Sequence, residues 1–560
     1  MATDRLHFTP LPGSESLFTP EFCSYLLTMQ DRFTPRLHAL REARGVVLRA
    51  AHAGRPPGHL PSSDINTGAW QVPLVPEELR RPGIEISGPV GVTPMFINAL
   101  NPGPDGTRAE GDLDDDEDSA GHRLADTIQA ALNRKEALDG SLSYVDPERN
   151  REYRVQPGEI PFFMHRERGL HLDEPEVTVD GKPISASILG ACLTLFHAGE
   201  AHVATGRRIY FYLPKMEAAT EAAWWRDFFA ASQEVAPHLR DATIRAIALV
   251  ESLPAAYQME EILHALGEYG AGLNAARWDF KASLLEFVMN DPHSVWPDRF
   301  GVDIKQTPFL TNIFRRLVAV CLKHNAVPIG GMATALPSRD PEVNQQAAAS
   351  IRADKEWEAQ QGFLRGWVAH IFHMKTAADP FQQLRASGWT PTAEMANPDN
   401  YPIRIEVPEG PITVEGTHRN VRMLLEYLEG WLRGRGAKGI DSLAGKPGKR
   451  PALMEDLATA RISVAQVAQR ILHGAKDTGT GEVHTFALAK RVVDEELRTL
   501  LDLMAAGEIP QPDADTAERY RQARRIALRW IKNYTELNFR SLGSYTHADL
   551  LSVAAEPDAF

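Results

Sequence analysis

Apolar positions in the middle of the chain fall into short runs separated by longer amphipathic stretches. The short runs have the length of buried strands and lie at residues 95–99, 160–165, 209–213, 244–250, 272–276, 326–329 and 367–371. Between them, stretches such as residues 186–203 and 220–239 repeat apolar side chains at helical spacing. Alternating strands and helices predict a parallel sheet with helices packed outside it.

Seven predicted strands, with room for an eighth in residues 107–120, favour a closed (β/α)8 TIM barrel. We expect this barrel domain over residues 86–398. Residues 1–85 read as an N-terminal helical segment, in which Thr19 can cap a helix that has Pro20 in its first turn. After residue 398 the strand-like runs stop, and amphipathic stretches predict a C-terminal helical domain over residues 399–560.

Composition argues against some classes of binding partner. The net charge is −14 and no dense basic stripe is present, which argues against nucleic acid and anionic membranes as partners. No apolar run approaches the roughly 20 residues of a membrane helix. Cys23, Cys192 and Cys321 are widely spaced and are expected to be free, buried thiols in a reducing compartment. We therefore expect a soluble, cytoplasmic protein, as a monomer or small homo-oligomer.

Polar residues follow several predicted strands, at the end where TIM barrels place their active sites. Arg166 follows the run 160–165, Glu251 follows 244–250, and Arg277 and Asp279 follow 272–276. Two acids and an arginine on one rim suit Mg²⁺ held by carboxylates, substrate and water. On spacing alone, Glu251 could instead cap a helix, Asp279 could pair with Arg277, and the arginines could form surface ion pairs.

Two charged segments have competing interpretations. Residues 110–118, EGDLDDDED, are most simply a solvated loop, and the alternative is an extra oxygen donor for a cation. Residues 434–450, GRGAKGIDSLAGKPGKR, fail the spacing of a phosphate-binding loop. They are predicted as a flexible basic linker whose lysines and arginines could still meet the phosphates of a ligand.

Longer motifs follow one another along the chain. They are RERGLHL (166–172), YFYLPKMEAATEAAWW (210–225), IRAIALVESLPA (244–255), GLNAARWDF (272–280), VWPDR (295–299), GGMATALPSRD (330–340), RADKEWEA (352–359) and ALMEDLATARIS (452–463). In this order they resemble the malate synthases, particularly the A-type enzymes of the glyoxylate cycle. The resemblance extends over nearly all of residues 15–550.

The resemblance implies a Mg²⁺-dependent Claisen condensation of acetyl-CoA with glyoxylate that gives malate and CoA. It assigns Glu251 and Asp279 to the metal, Arg166 to stabilising the enolate oxygen, and Asp456 to removing the methyl proton. These roles suit the residue types. An arginine is permanently cationic with a planar fork, Mg²⁺ polarises a carbonyl, and a carboxylate is a general base.

The same resemblance places the backbone of Ala276, Arg277 and Trp278 against glyoxylate, and Pro337 at the acetyl-CoA site. Some positions depart from the family pattern. Ala276 replaces a glycine where backbone approaches ligand, and its methyl group would crowd glyoxylate or force another φ. DLDDDEDS stands for the family's ADFED segment, FLRGWVAHIFH (363–373) replaces its HDGTW-VAHPG pattern, and the segment before Asp456 is GKPGKRPALMED.

These departures leave alternatives to the malate synthase reaction. One hypothesis is that substrate choice has drifted to another 2-oxo acid. The others are a citrate-lyase-like C–C lyase on the same barrel, against which the large C-terminal helical domain argues, and a non-catalytic homologue that keeps the fold.

Overall fold

The N-terminal part of the chain is mainly helical. The computed structural model describes residues 4–147, 150–443, 448–509, 511–539 and 547–556. Its first elements are β1 (Leu6–Phe8), α1 (Ser14–Leu17), α2 (Pro20–His52) and α3 (Asp64–Thr67). Thr19 caps α2 as predicted, because its hydroxyl accepts the Phe22 amide at 3.2 Å. Pro20 stands in the first turn, where a missing amide hydrogen breaks no helical bond.

The first half of the barrel carries additional strands outside it. In chain order the elements are β2 (Gly83–Pro89), α4 (Thr93–Leu100), β3 (Gly111–Asp115), α5 (Leu124–Asp139), β4 (Ser143–Asp146), β5 (Arg151–Arg154), β6 (Phe162–Arg166), β7 (Asp173–Val179), β8 (Lys182–Ser185), α6 (Ala186–Leu193), α7 (Gly199–Ala204), β9 (Ile209–Leu213) and α8 (Ala219–Val235). A π-helical segment, Thr194–Ala198, joins α6 to α7. Strands β1, β7 and β8 form a separate sheet, and β4 pairs with β5.

The second half of the barrel alternates strands and helices more regularly. Its elements are β10 (Ile244–Val250), α9 (Leu253–Tyr257), α10 (Met259–Ala265), β11 (Gly270–Ala275), α11 (Arg277–Phe287), α12 (Pro308–Lys323), β12 (Val327–Ala333), α13 (Pro341–Gln361), β13 (Arg365–Val368) and α14 (Met374–Ala386). The parallel strands pair in the order β2–β3–β6–β9–β10–β11–β12–β13, and β13 pairs with β2 to close the ring. The predicted (β/α)8 barrel is confirmed.

One predicted strand is wrong. Residues 95–99 lie in helix α4, whose first turn contains Pro94. A short apolar run fits a buried helix as well as a strand, so periodicity alone does not separate them. The first barrel strand is instead β2, which the apolar pattern missed because its sequence, GIEISGP, includes two glycines and a proline. The strand expected within residues 107–120 is present as β3.

The acidic run is a barrel strand, so the solvated-loop interpretation is wrong. All five residues of β3 are buried. Asp114 accepts from Arg134 Nε at 2.6 Å and lies 2.7 Å from His165 Nδ1. Asp115 is paired with Arg166. Carboxylates are tolerated in a barrel wall when cationic or hydrogen-bonding partners replace the water they lose.

The C-terminal part is helical, as predicted. It contains α15 (Val414–Leu432), β14 (Lys438–Ile440), β15 (Leu453–Glu455), α16 (Leu457–Leu472), α17 (Phe486–Ala505), α18 (Thr516–Thr535) and α19 (His547–Ala555). Residues 444–447 of the predicted basic linker lie outside the described residues. Helix α16 packs along α11 of the barrel. The C-terminal part is therefore docked at the carboxyl ends of the barrel strands.

Two expectations from composition can be compared with the structure. The three cysteines are free and buried, as predicted. Within the described part of the chain, no helix combines the length and apolar character needed to cross a membrane.

Candidate active site

Three carboxylates from different strand ends meet at the carboxyl end of the barrel. Asp118 follows β3, Glu251 directly follows β10, and Asp279 lies in the first turn of α11, just after β11. All three are buried, and one oxygen from each lies within 4.8 Å of the others. We call these residues the acid triad. The sequence predicts Glu251 and Asp279 as metal ligands, and the fold adds Asp118 from the acidic run.

A lysine ammonium lies beside the acid triad. Lys215 follows β9, and its Nζ is 2.7 Å from Asp118 Oδ2, 2.7 Å from Asp279 Oδ2 and 3.6 Å from Glu251 Oε2. Its backbone amide also donates to Glu251. The Lys215 φ of 51° is left-handed, a conformation that residues other than glycine seldom adopt. The turn thus brings both the amide and the ammonium of one residue to the acids.

The acid triad fits a divalent cation better than it fits a single ammonium. Among the described residues, Glu251 Oε2 and Asp118 Oδ1 are buried without a hydrogen-bond partner. Burial, with the charge of Asp279, raises the pKa of Glu251 to about 8 although Lys215 opposes the shift. Three buried carboxylates therefore exceed the charge that Lys215 supplies. Hard oxygen donors of this kind suit Mg²⁺.

Arg166, the last residue of β6, presents its guanidinium to the same space. Its Nε and Nη2 donate to the two oxygens of Asp115 at 2.7 and 2.6 Å, and its Nη1 lies 3.5 Å from Asp118 Oδ2. Burial acts to raise the pKa of Asp115, but Arg166 outweighs it, so the net shift is downward. The bidentate pair fixes the plane of the guanidinium and leaves Nη1 toward the acid triad.

Asp456 comes from the C-terminal part and is the N-cap of α16. Its Oδ1 accepts the amides of Ala458 at 3.0 Å and Thr459 at 3.4 Å. Burial, followed by the negative charges of Asp118 and Asp279, raises the pKa of Asp456 to about 8. This carboxyl group is therefore a stronger base than an ordinary aspartate.

The start of α11 supplies backbone donors beside the acid triad. Ala276 is its N-cap, and Arg277, Trp278 and Asp279 form the first turn. Amides of a first helical turn have no partner within the helix and carry the positive end of its dipole, which favours a bound anion. The Ala276 φ of −86° is ordinary for an alanine. The replacement of glycine therefore imposes no backbone strain here.

The side chains of Arg277 and Trp278 have other partners. Arg277 Nη1 donates to Asp354 Oδ1 at 2.9 Å, and its Nη2 pairs with Glu358 on the same helix, α13. The Lys281 ammonium lies 4.9 Å from the centre of the Trp278 ring, a cation–π contact. The structure thus anchors both side chains and leaves their amides at the helix start.

A cavity of about 80 Å³ joins these groups. Its lining includes Asp118, Arg166, Asp279 and Asp456 together with the three residues at the start of α11, Ala276, Arg277 and Trp278. A second cavity of about 540 Å³ adjoins it. The two share Pro89, Met95, Ser119, Ala437 and Met454. Pro337 is not among the lining residues of either cavity.

Four residues at the site were not assigned from the sequence. Asp118 was covered only by the general possibility of an oxygen donor in residues 110–118, and Asp115 and Lys215 were not singled out. Arg461 lies within the motif MEDLATARIS, yet only its Asp456 was given a role; Arg461 Nη1 donates to Asp279 Oδ1 at 2.9 Å. Their positions within motifs were the only sequence signal for a role at the site, because each contact joins segments that are far apart in sequence.

Comparison with known proteins gives one consistent family. The family models described as "Malate synthase, TIM barrel domain" and "Malate synthase, C-terminal" match residues 162–398 and 411–547. Malate synthase A of Escherichia coli (strain K12) is 34% identical over 524 residues, 92% of this chain and 94% of that protein.

Two further relatives agree. Malate synthase of Myxococcus xanthus (strain DK1622) is 34% identical over 502 residues, 87% of each chain. Malate synthase of Streptomyces clavuligerus is 33% identical over 558 residues, 96% of each chain. At this identity and coverage, and with the barrel and C-terminal parts both matched, the chain belongs to the malate synthase family.

Proposed function

We propose that this protein condenses acetyl-CoA with glyoxylate and hydrolyses the resulting thioester, giving malate and CoA. One observation carries the proposal. A raised-pKa carboxylate (Asp456), a guanidinium (Arg166) and two members of the acid triad line a single cavity. A base, a cation for the developing enolate and a site for an electrophile are the three things that this reaction needs.

Asp118, Glu251 and Asp279 would hold Mg²⁺ in this proposal. The ion would polarise the aldehyde of glyoxylate and neutralise its carboxylate when bound. Lys215, which now lies 2.7 Å from two of these acids, would then face a competing cation.

Asp456 acts as the general base. It takes a proton from the methyl group of acetyl-CoA, a very weak carbon acid, and the raised pKa of Asp456 narrows the gap in basicity. Asp456 has two carboxylate oxygens. Oδ1 already accepts the amides of Ala458 and Thr459. The other oxygen, Oδ2, is therefore the one assigned to proton removal.

Arg166 stabilises the negative charge that develops on the thioester oxygen. Its Nε and Nη2 are held by Asp115, so Nη1 is the donor assigned to the enolate. Because the guanidinium is already fixed by the bidentate pair, little reorganisation is needed when the charge forms.

Glyoxylate is assigned to the first turn of α11. The amides of Arg277 and Trp278, with Ala276 before them, line the cavity beside Asp279. A helix start of this kind binds a carboxylate and directs the aldehyde toward the acid triad.

Acetyl-CoA is assigned to the adjoining cavity of about 540 Å³. That cavity is formed between barrel residues, such as Pro89 and Met95, and residues 434–441 of the C-terminal part. Pro337 lies in the loop after β12, where the neighbouring Leu336 amide donates to Ala452 O at 2.8 Å. Pro337 is therefore close to the β15 segment that borders the cavity, and the proposal assigns it a flanking contact with the acyl-CoA.

Release of free thiol tests the proposal. Purified protein is mixed with acetyl-CoA, glyoxylate and Mg²⁺, and CoA is followed with a thiol reagent while malate is measured separately. We expect equal amounts of both products. A parallel series with pyruvate and larger 2-oxo acids tests a drift in substrate choice. No thiol release with any acceptor would contradict the proposal and favour a non-catalytic homologue.

The proposed domain division follows the same organisation. We retain an N-terminal segment, a barrel domain to residue 398 and a C-terminal domain, with the first boundary moved to residues 82/83 because β2 begins at Gly83.

A cytoplasmic location is supported by three buried, free cysteines. The expected monomer or small homo-oligomer can be checked by light scattering.

A further inference from the structure

One side chain of the C-terminal part reaches across to the edge of the acid triad. Arg461 lies in the second turn of α16. Its Nη1 donates to Asp279 Oδ1 at 2.9 Å, and its Nη2 donates to the two oxygens of Glu286 at 3.1 and 2.9 Å. Asp279 and Glu286 are seven residues apart on α11, so they project from the same face of that helix. Arg461 therefore spans two turns of a barrel helix.

Glu286, the second partner of Arg461, is itself held by another hydrogen bond. Tyr534, on α18, donates from its hydroxyl to Glu286 Oε1 at 2.8 Å. Arg461, Glu286 and Tyr534 are all largely or fully buried, with the Arg461 side chain 14% exposed. We call Arg461, Asp279, Glu286 and Tyr534 the interdomain clamp. Buried charge-assisted hydrogen bonds of this kind are strong and directional.

In the interdomain clamp, the two oxygens of Asp279 have different partners. Oδ1 accepts from Arg461, and Oδ2 lies on the side of the acid triad, 2.7 Å from Lys215 Nζ. A carboxylate with one oxygen held in this way cannot turn freely, so its other oxygen stays directed at the cation site. Partners behind a metal ligand commonly set its orientation, and their loss weakens binding or activity.

We propose that Arg461 is a positioning residue that couples the orientation of Asp279 to the placement of Asp456. Asp456 is the N-cap of α16, five residues before Arg461 on the same helix. Holding Arg461 against α11 therefore also sets where the carboxylate of Asp456 stands over the cavity. Arg461 is not among the lining residues of that cavity, so it acts through these two acids. The inference rests on the proposed function for the role of Asp456.

The planar fork of arginine is what this role requires. Lysine keeps the charge, but a single ammonium cannot place separate donors on Asp279 and on both oxygens of Glu286. Arg461→Lys is therefore expected to lower kcat by roughly 10- to 100-fold, the usual range for a lost partner of a metal ligand. KM for both substrates should change by less than about threefold, because no substrate contact is removed.

Arg470 offers a matched control on the same helix. It also bridges the two parts of the protein, donating from Nη2 to Asp298 Oδ1 at 2.6 Å and from Nη1 to Thr417 at 2.8 Å. None of these partners lies in the acid triad or lines the reaction cavity. Arg470→Lys should lower Tm as a weakened interdomain contact does, while kcat stays within about twofold of the unsubstituted protein.

Hydrogen exchange gives a readout that does not depend on turnover. Coupling is reciprocal, so a cation that fixes Asp279 should also steady the start of α16. We expect Mg²⁺ alone to slow amide exchange over residues 458–464 in the unsubstituted protein and in Arg470→Lys. In Arg461→Lys this slowing should be lost.

The outcomes separate the two proposals. Equal Mg²⁺-dependent slowing in Arg461→Lys, or a kcat loss that Arg470→Lys reproduces at the same change in Tm, would overturn the positioning role. Absence of any slowing in the unsubstituted protein would overturn it as well. Slowing that depends on Arg461 in a protein that releases no thiol would leave the coupling standing and refute the proposed function.

Discussion

Asp456 combines a helix cap with the proposed general base in one carboxylate. Its Oδ1 caps α16 through the amides of Ala458 and Thr459, and the group as a whole lines the cavity beside Asp118 and Asp279. Capping is a structural task that asparagine performs equally well, whereas proton removal requires the carboxylate. The two tasks can therefore be separated by substitution.

Asp456→Asn is expected to lower kcat by roughly 10²- to 10⁴-fold while leaving Tm nearly unchanged. Asp456→Ala should show the same loss of activity and, in addition, lose about 1 kcal/mol of helix stability because the cap is gone. Thiol release and a thermal melt on both variants provide the measurements. Near-normal turnover in Asp456→Asn would rule out the assigned base.

Asp354 illustrates a partly buried ion pair outside the proposed chemistry. Its carboxylate accepts from Arg277 Nη1 at 2.9 Å. Burial acts to raise the pKa of Asp354, but Arg277 and Lys355 outweigh it and hold the value at about 2. The folded state thus binds this proton more weakly than the unfolded chain does. Stability from this group is present above pH 4 and is lost as the pH falls toward 2.

Asp354→Asn is expected to destabilise the protein by about 2 kcal/mol at pH 7, from the size of that pKa difference. The gap in Tm between the two proteins should stay constant from pH 6 to 5, where Lys355 is protonated, and narrow below pH 4. Asp340→Asn serves as the control on the same helix, because Asp340 is the N-cap of α13 and asparagine caps as well. A Tm gap independent of pH would show that the charge of Asp354 is not the cause.

At the scale of elements, the junction of β11 and α11 forms the proposed glyoxylate site. The strand ends at Ala275, Ala276 is the N-cap, and Asp279 follows within the first turn. From the sequence, the methyl group of Ala276 is predicted to crowd the ligand or change φ. The observed Ala276 φ of −86° shows that alanine does not strain the backbone here, because an L-residue adopts this angle readily.

Ala276→Gly is therefore expected to bring no gain in backbone geometry. It should destabilise the protein by roughly 0.5–1 kcal/mol through added freedom of the unfolded chain. KM for glyoxylate should remain within about threefold, since the amides of Arg277 and Trp278 keep their places. Steady-state kinetics with glyoxylate decide the matter, and a drop in KM of tenfold or more would mean that the methyl group does crowd the ligand.

Strand β3 explains why an acidic run can be a barrel element. Its successive side chains face different partners, with Asp114 between Arg134 and His165 and Asp115 against Arg166. None of these partners is adjacent in sequence, so composition alone favoured a solvated loop. The strand also sets the position of Asp118, three residues beyond its end.

At the scale of the molecule, cation binding should stabilise the fold as a whole. The acid triad draws on β3, β10 and α11, so an ion held there ties three segments together. A ligand at 100 times its Kd adds about 2.7 kcal/mol to stability. We expect Mg²⁺ to raise Tm, and EDTA to reverse the rise.

The same measurement tests Asp118 as the third ligand. In Asp118→Asn the Mg²⁺-dependent rise in Tm should be largely lost, because one of three carboxylates is removed and Lys215 remains to compete. NaCl at matched ionic strength controls for general screening, and Asp340→Asn controls for the loss of an acid elsewhere. A full Mg²⁺ response in Asp118→Asn would exclude it as a ligand.

Local patterns and ordered motifs were enough to predict the barrel, the helical C-terminal part and the family. The barrel and the helices are predictable because short apolar strand runs and amphipathic helices are local patterns. The ordered motifs identified Arg166, Glu251, Asp279 and Asp456 as candidate site residues. The one misassigned strand, residues 95–99, failed because a short apolar run satisfies both periods.

The remaining groups at the site come together only through tertiary contacts. Asp118 joins Glu251 and Asp279 because β3 is a buried strand. Lys215 reaches the acids through a left-handed turn, and Arg461 reaches Asp279 across a distance of 182 residues in sequence. These contacts depend on closure of the barrel and docking of α16 on α11. No local pattern encodes them, because the energy that selects them arises only when remote charges are buried together.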